Sequence, residues 1–97
     1  PEPEGELRKF GLMRKSYLEN HRRGIYAGLL LSGELKEHLL LIQEQAEERF
    51  DLLVGQMAKQ EEVTEQLKAR DQMLWVRKMN NIRNAVEEIV LNEIVYC

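Results

Sequence analysis

The residues best equipped for chemistry in this chain are two histidines, a set of glutamates and one cysteine, and their spacing limits what each can do. His21 and His38 stand 17 positions apart. Glu34 and His38 would share a helix face at i,i+4, with Glu37 beside them. A carboxylate-bridged di-metal centre needs a glutamate and a Glu-x-x-His pair from each half of a four-helix bundle. Neither that spacing nor a second copy of it is present. A solvated helix face is therefore expected, with no metal and no cofactor. Glu44, Glu47, Glu48 and Asp51 form an acidic run. Acid–base work by paired carboxylates requires a cleft that desolvates one of them. On a helix these four fall opposite Ala46 and Phe50, which makes them an outer face. Cys97 ends the chain without a histidine nearby in sequence and is poorly placed as a nucleophile. Gly24, Gly28 and Gly33 lack the strand and the lysine of a phosphate-binding loop. No catalytic residue set emerges. A protein that is not an enzyme and takes no small-molecule substrate is expected.

Binding chemistry has one better claim. Arg8, Lys9, Arg14, Lys15, His21, Arg22 and Arg23 crowd the first quarter of the chain. Residues 1–24 carry six basic and four acidic side chains, a net of +2, whereas residues 25–62 carry three and eight, a net of −5. Residues 63–97 are balanced at five each, and the whole chain has a net charge of −3. Bulk charge thus gives no support for nucleic-acid binding, and only the N-terminal part is locally basic. Two short helices meeting near Asn20-His21 have the size of a helix-turn-helix whose second helix starts at Arg22 and enters a major groove. On that reading Arg14, Lys15, Arg22 and Arg23 contact DNA. The competing reading is an ordinary solvated face.

The elements that must position these residues are legible from two absences. No proline follows Pro3 and no glycine follows Gly55. These two residues break helices, at about 3 and 1 kcal/mol relative to alanine. Residues 1–10 (opening PEPEGEL) predict a disordered or extended arm, followed by a single helical domain over 11–97. The period predicts a short helix from Leu12 to Glu19, a second from Arg22 to Leu31 closed by Ser32-Gly33, and a long third helix. The series Leu35, Leu39, Ile42, Ala46, Phe50, Leu53, Met57 steps by threes and fours along that third helix, which fades near Lys59–Glu62. Thr64 is a good N-cap for a last helix running to the end, and Asp71 is a second cap that would kink it.

An unbroken helix from Glu65 to Val95 would be about 46 Å long, beside a radius of gyration near 13 Å for a compact chain of this size. The expected fold is all-α, with two short N-terminal helices and then two long helices in an antiparallel hairpin. Such a rod leaves apolar surface over, and a homodimer completing a helical bundle is expected. The core or dimer face would comprise Leu39, Ile42, Phe50, Leu53, Met57, Trp75, Met79, Ile82, Val86 and Ile89. Asn80-Asn81 lie mid-helix, where an amide can fix an interface register or simply face water.

Apolar residues make up 43% and charged residues 32% of the chain, which excludes the disordered class. Apolar runs such as Leu39–Ile42 fall far short of the ~20 residues that span a bilayer. With one cysteine, no intramolecular disulfide can form, so a cytoplasmic setting is expected. The first residue is proline rather than methionine, as in a processed or truncated chain.

Residues 11–39, GLMRKSYLENHRRGIYAGLLLSGELKEHL, and 63–96, VTEQLKARDQMLWVRKMNNIRNAVEEIVLNEIVY, together resemble TnpV, a family of small transposon-encoded proteins of clostridia and related gut bacteria. The pieces YLENHR, LLLSGEL, WVRKMN and AVEEIVLNEIVY carry most of the resemblance. It implies a non-enzymatic accessory protein of a mobile element, accompanying a site-specific recombinase, with an excisionase-like role in binding DNA at element ends. It also implies a further short leader in family members. The alternative is a helical dimer that docks on the recombinase or another element protein without touching DNA.

Overall fold

A computed structural model describes residues 2–97. Five α-helices, Lys9–His21 (α1), Arg23–Ser32 (α2), Leu35–Gln60 (α3), Glu65–Arg70 (α4) and Gln72–Val90 (α5), are followed by a single π-helical turn, Leu91–Val95. There is no strand among the described residues.

The helix ends follow local chemistry. Asn20 does not break α1. Its side-chain amide donates to the Ser16 carbonyl at 2.9 Å and reinforces the last turn. The break comes two residues later, at Arg22 (φ −139°, ψ 54°), whose N–H still donates to Leu18. Gly33 ends α2 in the left-handed conformation (φ 79°), where a side chain would be strained, and Glu34 N–H closes back on Leu29 at 2.9 Å. The same closure ends α3, Val63 N–H reaching Ala58 at 2.8 Å. Here the left-handed residue is Glu62 (φ 58°), which lacks glycine's freedom.

The last helical stretch is not one rod. Thr64 Oγ1 accepts from Leu67 N–H at 3.2 Å, and Asp71 Oδ1 accepts from Leu74 N–H at 3.1 Å. The second cap separates α4 from α5, because a residue that receives its own helix's N–H groups cannot also continue the previous helix. α5 and the π-helical turn return along α3, with Arg49 Nε 3.2 Å from Glu93 Oε2 of that turn. α1 lies against α3 and the π-helical turn; Arg8, just ahead of it, reaches Glu47 on α3, and a Lys9–Glu87 ion pair links it to α5.

This third helix changes the fate of the apolar stripe. Leu39, Ile82 and Val86 are buried. Ile42, Phe50, Leu53, Met57, Trp75 and Met79 are partly buried and pack against a core built from Phe10, Ala46, Val54, Val63, Leu67, Ile82, Val86, Val90 and Val95. Phe10 meets Phe50 with ring centroids 5.9 Å apart. Phe10 therefore belongs to the helical body, not to a free arm. Ile89 departs from the expected face. It lies about 100° around the helix from Val90, which points inward, and is exposed.

The segment ahead of α1 is irregular but pinned. The buried amide of Gln43 accepts from Arg8 N–H through Oε1 and donates to the Glu6 carbonyl at 3.0 Å through Nε2. Gly11 makes room for that amide, since a Cβ there would lie 2.6 Å from Gln43 Oε1. The molecule measures 54 × 26 × 18 Å with a radius of gyration of 16.8 Å, well beyond the ~13 Å of a compact globule. No helix is long and apolar enough to cross a membrane among the described residues.

Candidate interaction surface

Several basic side chains are already engaged within the fold. Arg8 forms a two-pronged bond to Glu47, at 2.9 and 2.8 Å, and its donated hydrogen bond holds the Glu47 carboxyl below the usual carboxylate range. Lys9, Lys36 and Arg49 pair with Glu87, Glu2 and Glu93. These pairs tie α1, α3 and the chain end together.

Arg14 is the main correction to the expected DNA-contacting set. It is buried, and its Nη1 donates to the carbonyls of Val95 at 2.9 Å and Cys97 at 2.8 Å, while Nε donates to His38 Nε2 at 3.2 Å. A cation placed on the last carbonyls of a helix satisfies its orphan acceptors and its dipole. Arg14 is thus the C-terminal cap of the whole bundle and is not available to a ligand. His38, expected on a solvated face with Glu34, instead turns to Arg14. Burial, and then the Arg14 charge, push its pKa down.

Of the four expected contact residues, Lys15, Arg22 and Arg23 remain without an ion pair among the described residues, beside exposed His21. Tyr17 stacks between His21 and Tyr96, at 5.5 and 5.2 Å between centroids, and lines an open groove of about 750 Å³ with Met13, Asn20 and Arg22. A second basic group went unnoticed in the sequence: Lys68, Arg70, Arg77, Lys78 and Arg83, with only Asp71 among them, also lack ion pairs among the described residues. The balanced total over residues 63–97 concealed it; a shorter charge window finds it. Lys68 sits over the Trp75 ring at 4.6 Å. Asn80 and Asn81 are exposed, as is Cys97.

The least expected surface is α2. Its sequence, RGIYAGLLLS, is apolar, yet none of its residues is buried. Tyr26 and Leu29 are partly buried, and Leu30 lines a groove with Leu7, Lys36 and Leu39 while about half exposed. Ile25 is also about half exposed, and Leu31 is 87% exposed. A recognition helix presents polar side chains to base edges, and between Arg23 and Ser32 this helix has none but the Tyr26 hydroxyl. The helix-turn-helix expectation therefore loses its reading element. Periodicity could identify α2 as a helix but not whether the fold would cover it.

No group of three or more His, Cys, Asp or Glu side chains is placed to hold a metal among the described residues. No curated protein and no solved structure matches the chain. Residues 1–95 match the family described as transposon-encoded protein TnpV, in agreement with the resemblance carried by YLENHR, LLLSGEL and WVRKMN. With 95 of its 97 residues matched, the chain belongs to the TnpV family of transposon-encoded proteins.

Proposed function

We propose that this chain is a non-enzymatic accessory protein of its mobile element and that it works by protein–protein assembly, with α2 as the assembly element. One observation carries this reading: an apolar helix projects from a packed body with none of its residues buried. Exposed apolar patches on small proteins mark interaction sites. The test is excision of a marked element by its recombinase, with and without this protein. The wild-type chain changes excision frequency and the Leu31→Glu variant does not. Equal effects of the two proteins would refute the reading.

A second reading, direct contact with element DNA, is supported by the unpaired cations Lys15, Arg22 and Arg23 and by the group from Lys68 to Arg83. It predicts affinity for element-end duplexes that falls steeply with salt. The affinity would drop when Arg22 and Arg23 become glutamate. Absence of binding at low salt removes it.

A further inference from the structure

We propose that α2 pairs with α2 of a second copy of this chain, antiparallel, across a two-fold axis passing between Ala27 and Gly28. The proposal rests on the assembly reading above and names the occupant of that surface.

The geometry of one helix defines the contact face. Tyr26 and Leu29 lean on the body, so the side turned away carries Gly24, Ala27, Gly28 and Leu31, spaced i, i+3, i+4 and i+7. A Cβ at Gly24 or Gly28 would meet nothing within 4 Å, so the space in front of both is open in the single chain. Small residues in a row permit close approach but do not say of what.

The charges at the two ends of α2 do say. A helix is favoured by acidic residues in its first turn and basic ones in its last. α2 has neither. Arg22 and Arg23 stand at its positive end, and Glu34 and Glu37 follow its negative end. Within one chain that arrangement opposes the α2 dipole, while Glu34 and Glu37 also stand at the favourable N-terminal end of α3. Between two antiparallel copies it becomes complementary. Each Arg22-Arg23 end lies beside the other copy's Glu34, the two dipoles run in opposite directions, and each Leu31 falls over the open Gly24 of its partner. A two-fold interface requires this self-complementarity. A parallel pair would set arginine against arginine, and a phosphate-rich partner would leave Leu31 in water.

Sedimentation equilibrium of the full chain over a range of micromolar concentrations tests the pairing. The expected result is a dimer whose dissociation constant rises at least about tenfold in Leu31→Glu and in the double variant Arg22→Glu, Arg23→Glu. Both changes fall on exposed positions, and unchanged circular dichroism verifies folding. Adding Glu34→Arg to the double variant restores the dimer, which a merely sticky surface would not do. A monomer at every concentration, or a dimer indifferent to Leu31→Glu, overturns the pairing. If the chain is monomeric while excision still depends on Leu31, self-pairing fails and the assembly reading stands. If the dimer separates as expected but excision is unchanged, the pairing stands and the assembly reading fails.

Discussion

Arg14 and His38 meet across α1 and α3, the guanidinium Nε donating to the imidazole Nε2 at 3.2 Å. The bond exists only when Nε2 carries a lone pair, so His38 is held neutral with its proton on Nδ1. The other prong of Arg14 holds the carbonyls of Val95 and Cys97. One buried cation therefore joins the first helix, the long third helix and the chain's last turn.

The first expectation concerns pH. His38 has a depressed pKa in the fold, by burial first and by Arg14 second. The unfolded chain binds that proton more readily, so stability is complete above about pH 6.5 and falls as pH drops through the depressed folded value. Thermal melts at neutral and mildly acidic pH should show this loss, and His38→Gln, which keeps an acceptor, should flatten it. Glu47, also depressed, acts only at lower pH, below the ordinary carboxylate value of about 4.3.

Arg14→Met should cost about 2–4 kcal/mol, because it strands two carbonyls that a charged donor had satisfied. Arg14→Lys should recover little, since one ammonium cannot reproduce the planar fork. Glutamate at the exposed Arg22 or Arg23 should leave denaturant midpoints nearly unchanged. Urea unfolding of the four variants checks the contrast.

Two glycine-to-alanine changes on helices should have opposite signs. Gly55 lies mid-α3 with nothing within 4 Å of a Cβ, so Gly55→Ala should stabilise by about 1 kcal/mol. Gly11→Ala must displace the Gln43 amide, 2.6 Å away, and release Arg8 N–H and Glu6 from it. It should destabilise despite its better helix propensity. Calorimetric melting temperatures moving in the same direction would contradict this.

Asp71→Ala removes the cap on Leu74 N–H and should cost about 1 kcal/mol. Amide exchange should rise first in the opening turn of α5, around Leu74 and Trp75, and least at Val86 and Val90 in the core.

Local rules accounted for the helices and their caps. Thr64 and Asp71 cap as their side-chain oxygens dictate, and apolar residues three and four apart, uninterrupted by proline, favour helices over strands. The same rules misplaced the first break, because Asn20 has a competing acceptor in Ser16 one turn back. They also treated every cation near the N-terminus as equivalent. Arg14 and Lys15 are neighbours of one chemical kind, yet one is buried against carbonyls 81 and 83 positions away and the other is not.

The sequence by itself determined an all-helical chain, most of the apolar face of its long helices, with Ile89 the exception, and the family to which it belongs. Those properties depend on spacing of a few residues, and short-range physics is written in short-range pattern. Only the tertiary structure decided which apolar face is covered. α1 folds over α3 and the closing π-helical turn and, through Phe10, fills the stripe that the helical period alone left open, while α2, more apolar than α1, keeps every residue at least partly exposed. Burial is a contest among distant segments for the same surface, and no local period records its winner.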